Sequence, residues 1–429
     1  MNGIGTEEPV AGPPVVDESR RVAGFNGFWG TQPVIHIQGS QEAPDGPIRL
    51  YDLEQIPKEA SPLLEGFEWA TLDMADERGV EELWQLLSEH YMEDGNSTFR
   101  FGYSQEFLRW ALMTPGWRSG WHIGVRATQS RKLVASICGV PNKINVRGQS
   151  LLVAAINFLC IHKKLRSKRL APLLIKEVTR RCCLDGVYQA IYTAKDVLST
   201  PIGTCQSYHR PLNWVKLYEA GFISHSYIPS KTREAAKYRL SDKTSTPRLR
   251  AMQTGDIDAV WCLLGKYLRR FHLYPVFSRE DIGHWLHATG SNTDQIIWPY
   301  VVETPGTKKI TEFVSFYGVD AKVLLSFKHS NVRMASLYYY ASETAFTGEE
   351  NGLQERLQML INDALILAKN AGFDVFNALA LYDNSHFLER LRFRPGNGQL
   401  HYYMYNYRTS PIPGVAHHKD TGGIGLLML

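Results

Sequence analysis

Residues 154–181 read AAINFLCIHKKLRSKRLAPLLIKEVTRR and decide the type of fold. An apolar run ends near Ile161, five basic side chains follow within residues 163–170, and a helical pattern begins near Ala171 and Pro172. Proline fits the first turn of a helix, because the backbone N–H that it lacks would have no helical partner there. The order of strand, basic loop and helix predicts an α/β unit with a positively charged junction.

This junction is suited to a phosphate group. Free backbone N–H groups and the dipole at the start of a helix attract an anion, and lysine and arginine side chains add positive charge. The basic run alone fits a solvated loop or a localisation signal equally well. The flanking strand and helix favour the phosphate site. Nucleic acid is a weaker interpretation, because no aromatic side chain is interleaved with the charges.

A similar pattern recurs in the second half of the chain. The stretches LIKEVTRRCCLDGVYQAIY and LINDALILAKNAGFDVFNAL match in residue type, and each has a glycine at the same place, Gly186 and Gly372. Upstream of them, VASICGV (134–140) resembles FVSFYGV (313–319). We therefore predict a duplicated α/β unit. A polar stretch at residues 230–247 separates the repeats, so we place the two halves at residues 23–240 and 241–429.

Composition narrows the class of protein. The 429 residues allow two or three domains or one large duplicated one, and residues 1–22 predict a disordered segment because they are rich in Gly, Pro and Glu. A net charge of +4 does not indicate a nucleic-acid-binding protein. No apolar run reaches the length of a membrane span, and the N-terminus has no secretory pattern. Six cysteines without a C-x-x-C pair predict reduced thiols in a cytoplasmic protein.

The last residues, DTGGIGLLML, form an apolar end that carries the terminal carboxylate. Burying an unpaired carboxylate is costly. Either the tail is a strand that stops at the surface, or the carboxylate has a function inside the protein. The residues alone favour the surface strand, because chain ends seldom take part in catalysis.

From about Phe25 to Leu429 the sequence resembles the N-myristoyltransferase family, the glycylpeptide N-tetradecanoyltransferases. The resemblance rests on several long stretches: FWGTQPV, EGFEW, FRFGYSQEFLRWAL, NFLCIHKKLRSKRLAP, YTA, GTCQSYHRPLN, NDALILAKNAGFDVFNAL, YYMYNY and GIGLLML. It implies two pseudo-symmetric acetyltransferase-like (GNAT) halves around one saddle-shaped sheet. It also implies a monomer that transfers myristate from myristoyl-CoA, a co-substrate, to the N-terminal glycine of a protein, without a metal or another cofactor.

The resemblance assigns the chemistry to backbone and terminal groups. The carboxylate of Leu429 is implied as the base for the incoming amine, which has a pKa near ~8 and is mostly protonated at neutral pH. The backbone N–H groups of Phe158 and Leu159 are implied as the oxyanion hole. Residues implied to contact myristoyl-CoA, besides these two, are Gly27, Phe28, Trp29, Cys160, Ile161, Arg166, Ser167, Lys168, Arg169, Leu170 and Ala171. Residues implied to line the peptide site are Tyr91, Asp94, Phe99, Phe101, Tyr103, Asn157, Thr193 and His209.

Departures from the family cluster on the peptide side. Gly95 and Asn96 stand in a stretch that is usually acidic, and Asn397 replaces an aspartate between two glycines. Ser207 and Lys195 stand where the family commonly has tyrosine and glycine. Fewer acidic residues should weaken a preference for a basic residue in the substrate.

Two other functions remain open on the sequence. The altered peptide side is compatible with a catalytically inactive protein that binds acyl-CoA or an acylated peptide. A second alternative is an acyltransferase that uses another acyl length or a lysine amine.

Overall fold

The strands of the computed structural model join in one mixed sheet. The strands are β1 (Phe67–Thr71), β2 (Phe99–Gly102), β3 (His122–Ala127), β4 (Leu133–Val146), β5 (Gln149–Ile161), β6 (Ala190–Ala194), β7 (Gly203–Pro211), β8 (Leu249–Ala251), β9 (Leu273–Pro275), β10 (Ile297–Glu303), β11 (Ile310–Val323), β12 (Asn331–Ser342), β13 (Val375–Leu379) and β14 (Arg394–Tyr405). The α-helices are α1 (Glu77–His90), α2 (Gln105–Leu112), α3 (Leu170–Leu184), α4 (Trp214–Glu219), α5 (Lys231–Ala236), α6 (Ile257–Leu268), α7 (Arg279–Trp285) and α8 (Gly352–Asn370).

The structure describes residues 27–36, 44–92, 98–223, 230–288, 295–324, 326, 328–348, 351–414 and 423–429. The segment predicted to be disordered, residues 1–22, lies outside the described residues. So do Asp94, Gly95 and Asn96 of the predicted peptide site.

The sheet contains the same arrangement twice. Its strand order is β1-β3-β4-β5-β6-β14-β7-β13-β12-β11-β10-β8. In each half an antiparallel pair, β4–β5 or β11–β12, leads through a long helix, α3 or α8, to a parallel strand, β6 or β13. Gly186 and Gly372 follow the two helices with φ of 78° and 81°, a conformation that glycine adopts without strain at helix ends. The predicted duplication is confirmed.

The last strand of each half lies next to the other half. β7 follows β6 in the chain but pairs with β13, and β14 follows β13 but pairs with β6. β7 and β14 also pair with each other, which makes the sheet continuous across its middle. The boundary between residues 240 and 241 stays a prediction. The sequence analysis does not predict that the two halves exchange their last strands.

The two long helices pack on the sheet with buried acidic residues at equivalent places. In α3, Glu177 is 2% exposed and pairs with Arg180 and Arg181, each at 2.7 Å. In α8, Asp363 is fully buried and accepts hydrogen bonds from the backbone N–H groups of residues 245 and 246 at 2.7 and 2.8 Å. Donors thus compensate for the burial of both carboxylates, from the same helix for Glu177 and from a separate segment for Asp363.

All six cysteines are free thiols, with Cys262 exposed and the other five buried. None of the helices in the described ranges is long and apolar enough to span a membrane.

Candidate active site

A bulge in β5 lies at the centre of the site. The pairing of β5 with β4 shifts by one residue between Asn157 and Cys160, so that Phe158 and Leu159 together face Ile137. Phe158 has a φ of 54°, which is uncommon for a bulky residue other than glycine. A bulge disrupts the regular hydrogen-bond ladder. Backbone groups at these two residues are thereby available for other partners.

Three side chains surround Phe158. The hydroxyl of Ser136, fully buried, donates a hydrogen bond to the Phe158 carbonyl at 3.0 Å. The Phe158 ring contacts the edge of Tyr103 at a centroid distance of 5.5 Å and lies 6.1 Å from Tyr91. Burial raises the pKa of the Tyr91 hydroxyl, although a hydrogen bond from the Phe158 backbone acts in the opposite direction. The tyrosines predicted to line the peptide site therefore also contact the bulge.

The second half carries a bulge displaced by one residue from the corresponding place. The pairing of β11 with β12 shifts so that Tyr338 and Tyr339 together face Ser315. Ser315 occupies the place of Ser136 in the repeated stretch, and its hydroxyl donates to the Tyr339 carbonyl at 2.8 Å. The positive φ is found only in the first bulge, at Phe158. Backbone strain of this kind is typical of functional sites.

The C-terminal residues are buried in the core. Ile424 and Leu426 are at most 1% exposed. The Leu427 N–H donates to the Tyr339 hydroxyl at 3.2 Å, and the Tyr402 hydroxyl donates to the Leu426 carbonyl at 2.9 Å. These hydrogen bonds hold the backbone of the tail. The surface strand, which the residues alone favoured, is not what the structure contains.

The terminal carboxylate of Leu429 meets the side chain of Asn157. With its amide turned so that the nitrogen donates, Asn157 contacts an oxygen of Leu429 at 3.2 Å and the Ile156 carbonyl at 3.1 Å. Both residues line a pocket of about 60 Å³, together with Trp285 and Asp281 among others. Because Asn157 directly precedes the bulge, the carboxylate and the predicted oxyanion donors are neighbours.

The predicted phosphate site lies at the start of α3. Arg169 precedes the helix with a φ of 55°, and its own side chain makes no capping hydrogen bond to the first turn within the described residues. Ser167, Lys168 and Arg169 are exposed, Leu170 is buried and Ala171 is half-buried. The helix therefore presents uncapped N–H groups next to exposed cations, an arrangement that binds anions.

Arg166 differs from the other residues of this loop. Its guanidinium donates to the His90 carbonyl at 2.6 Å and to the Ile161 carbonyl at 3.4 Å. His90 ends α1, and a cation at the C-terminal end of a helix is stabilising. Arg166 thus joins α1 to the loop, and its predicted contact with phosphate stays a prediction.

The segment of Gly27, Phe28 and Trp29 packs near the same helix. Trp29 is 4% exposed and stacks on Tyr192 at a centroid distance of 5.6 Å. Ile175 of α3 packs in the same cluster. The three residues predicted to cover the CoA group therefore lie on the α3 side of the sheet.

The site offers no reactive thiol at the bulge. Burial raises the pKa of Cys160 to about 12. Since the thiolate is the nucleophilic form, this cysteine is unreactive at neutral pH.

Residues of the predicted peptide side share one face of the sheet. Thr193 of β6 pairs with Tyr402 of β14, and Tyr402 pairs with Gly203 of β7. Side chains alternate along a strand, so His209, six residues after Gly203, lies on the same face of the sheet as Thr193. The Nδ1 of His209 is 2.8 Å from the Asn377 Oδ1. Burial lowers the pKa of His209, although its hydrogen bond to Asn377 raises it. A neutral His209 is therefore expected at neutral pH.

Aromatic side chains continue this surface. The ring of Phe222 lies 5.5 Å from His209 and 5.6 Å from Phe99. Phe101 lies on β2, paired with Ala321 of β11. Together these contacts place the predicted aromatic residues of β2 beside the centre of the sheet.

The departures at residues 207 and 397 lie close together. The Ser207 hydroxyl donates to the Gly398 carbonyl at 2.8 Å. A Cβ at Gly396 would lie 2.5 Å from the His209 Nε2, so the irregular part of β14 between Pro395 and Gln399 approaches the histidine closely. Asn397 sits between these two glycines, whereas Lys195 is exposed just beyond the end of β6.

The sequence analysis missed three residues of the site. Tyr339 and Tyr402 hold the tail, and Asn377 bonds His209. Tyr402 is part of the quoted stretch YYMYNY, and Tyr339 is part of an aromatic run, LYYY at 337–340. An aromatic run in a buried strand is ordinary core, so neither pattern predicts a contact with the chain end.

Comparison with known families agrees with this geometry. A sequence model described as Myristoyl-CoA:protein N-myristoyltransferase, N-terminal domain, matches residues 47–205, and the model of the C-terminal domain matches residues 219–427. The chain belongs to this N-myristoyltransferase family. The suspected resemblance is confirmed.

Individual members of the N-myristoyltransferase family match over nearly the whole chain. The glycylpeptide N-tetradecanoyltransferase of Aspergillus fumigatus is 58% identical over 409 residues, covering 94% of this chain and 83% of the relative. That of Schizosaccharomyces pombe is 46% identical and covers 99% and 92%. A crystal structure of Saccharomyces cerevisiae N-myristoyltransferase with bound myristoyl-CoA is 41% identical, with a TM-score of 0.89 and coverage of 94% and 99%. The mixed α/β fold is thus that of the family.

Proposed function

We propose that this chain transfers the myristoyl group of myristoyl-CoA to the N-terminal glycine of proteins. The observation that carries the proposal is the position of the Leu429 carboxylate, 3.2 Å from Asn157 and next to the strained bulge at Phe158. Family membership supplies the reaction, and the geometry supplies a candidate for each catalytic group.

The carboxylate of Leu429 is the proposed base. An ammonium group has no lone pair and cannot attack a thioester. The carboxylate accepts one proton from the glycine ammonium and leaves a neutral amine, which attacks the thioester carbonyl carbon. Asn157 donates to the carboxylate and fixes its orientation.

The bulge is the proposed oxyanion hole. As the carbon–nitrogen bond forms, negative charge develops on the carbonyl oxygen, and the N–H groups of Phe158 and Leu159 donate to it, typically worth ~3 kcal/mol per donor. The intermediate then collapses, the carbon–sulfur bond breaks, and CoA leaves as a thiolate that takes up a proton. The nitrogen loses its remaining excess proton and becomes an amide.

The two halves have different proposed tasks. We assign acyl-CoA binding to residues 23–240, which contain the uncapped start of α3 and its basic loop. We assign the terminal carboxylate to residues 241–429, together with peptide contacts such as Asn377, which complete the peptide site begun by Thr193 and His209 of the first half. A monomer working in the cytoplasm fits this assignment.

The test is CoA release from myristoyl-CoA by a peptide that begins with glycine. One added residue after Leu429 moves the carboxylate, so we expect kcat to fall by about 100-fold or more, the range for loss of a general base. Leu429→Ala is the matched control, because it removes the side chain and keeps the carboxylate in place.

Three results would favour another base or another function. Equal kcat in the extended and native chains places the base in another residue. Binding of myristoyl-CoA without CoA release in either chain favours an inactive acyl-CoA binder. Faster release with another acyl length or with a lysine amine favours an acyltransferase of altered specificity.

A further inference from the structure

His90 and His162 form a pair next to the basic loop. His90 is the last residue of α1, and His162 directly precedes the loop. Their ring centroids are 4.0 Å apart, with the planes tilted by 51°. Arg166 of the loop donates to the His90 carbonyl and so joins the end of α1 to the loop. The reaction scheme above gives these imidazoles no task.

Hydrogen bonds determine which ring can accept a proton. The Nδ1 of His162 accepts from the Lys164 N–H at 3.2 Å, so a proton at that atom would break this bond. The Nε2 of His90 faces a carboxylate oxygen of Glu89 at 3.4 Å and is therefore the atom that carries the hydrogen. The other ring atom of His90, Nδ1, is buried and has no hydrogen-bond partner within the described ranges. His90 Nδ1 is therefore the atom that takes up a proton.

The surroundings of His90 favour its neutral form while the loop holds no anion. Burial lowers the pKa of His90, and the neighbouring His162, Lys163 and Arg166 lower it further, whereas Glu89 raises it. Glu89 is 66% exposed, so water screens much of its charge. A phosphate bound among these cations would reverse the local field and favour imidazolium.

We propose that His90 belongs to the phosphate site and takes up a proton when a phosphate of the acyl-CoA binds at the start of α3. The proposal rests on the phosphate site assigned above. Arg100 of β2 donates to the Ser88 carbonyl at 3.1 Å and adds a cation near the C-terminal end of α1. The charged groups around His90 are thus mostly positive, and the ligand supplies the anion.

The test is binding of myristoyl-CoA to the full chain without peptide, measured by titration calorimetry between pH 5.5 and 8.5. Buffers with different ionisation enthalpies report the number of protons taken up. We expect uptake in the acidic part of this range in the native protein and less in the His90→Asn variant. The Kd of the variant divided by the Kd of the native protein should grow as the pH falls. It should reach about tenfold for each unit by which the ligand raises the pKa of His90. Only a phosphate monoester of the ligand titrates in this range, near ~6, and the His90→Asn variant measures its contribution.

Equal proton uptake and a ratio independent of pH would overturn the proposal. His90→Gln is a second neutral replacement, used with thermal unfolding in case the asparagine variant is poorly folded. A Lys168→Ala/Arg169→Ala double variant tests the site itself. If it binds weakly while His90→Asn shows native proton uptake, the phosphate site stands and the role of His90 fails. If it binds as tightly as the native protein, the assigned site is wrong, and His90 loses its role with it.

Discussion

Ser136 and Ser315 occupy the same place in the two halves and make the same hydrogen bond, each to a carbonyl in a bulge of the next strand. The bonded carbonyls belong to Phe158 and Tyr339. Only Phe158 also provides a proposed oxyanion donor. Replacing each serine in turn therefore separates the effect of this hydrogen bond on folding from its effect on the reaction.

The Ser136→Ala variant should lose activity beyond its loss of stability. Removal of the hydroxyl leaves the buried Phe158 carbonyl without this donor, which costs about 1–3 kcal/mol. We expect kcat to fall by about tenfold while the Kd for myristoyl-CoA changes little. Ser315→Ala is the matched control and should lower the melting temperature similarly, with a smaller change in kcat. The same loss of kcat in both variants would assign the effect to stability alone.

Replacement of Asn157 should affect the proposed base directly. Asn157→Ala removes a donor to the carboxylate, and hydrogen bonds to charged groups are worth about 1.5–3 kcal/mol. A tenfold to hundredfold lower kcat is expected at neutral pH, and Asn157→Asp should be worse because it adds a like charge. The measurement is kcat against pH for both variants. A native profile for Asn157→Ala would mean that the contact with Leu429 has no part in the reaction.

His122 should make the protein sensitive to acid. It is fully buried, stacked on Trp117 at 5.7 Å, and burial lowers its pKa to about 4. The unfolded chain binds the proton more tightly, with a pKa near ~6.5, so stability is lost as the pH falls from about 6.5 to 4.

The free energy of unfolding of the native protein should be lower at pH 4.5 than at pH 7.5. We expect His122→Phe, which keeps the stacking, to reduce this difference by about 2–3 kcal/mol. Urea unfolding at both pH values measures it. An unchanged difference would show that His122 does not titrate across this range.

Asn397 should weaken a preference for basic peptides. It is exposed in the irregular part of β14 that contacts Ser207 and His209. Asn397→Asp restores a negative charge, so kcat/KM for a peptide with a downstream lysine should rise about twofold to fivefold relative to its alanine analogue, as expected for an exposed charge pair. Asn397→Gln is the neutral control. An equal ratio for both variants would place the determinant of this preference elsewhere.

The repeat is visible in the sequence because its signals are local. Gly186 and Gly372 end helices that need a left-handed residue, and the helical pattern near Pro172 predicts α3, although the helix extends further, over Leu170–Leu184. The basic loop is equally local. The assignment of roles to Leu429 and Phe158 rested on the family resemblance, since no local pattern distinguishes a buried chain end from an exposed one.

Other features depend on contacts between distant parts of the chain. Phenylalanine disfavours positive φ, so nothing in the residues themselves predicts the bulge at Phe158. Arg166 looks like its neighbours in the loop, and only the position of His90 shows that its guanidinium contacts a carbonyl. The strand that pairs with β6 cannot be predicted either, because an alternating pattern predicts a strand but not the strand beside it.

The exchange of β7 and β14 has a consequence for synthesis on the ribosome. β6 ends at Ala194, but the strand that covers its edge begins at Arg394. At roughly 5–20 residues per second, that edge waits about 10–40 s for its partner. An open strand edge is a template for wrong pairing. We expect the nascent first half to keep this edge open to chaperones until β14 is translated, and slow codons between the halves would lengthen its exposure.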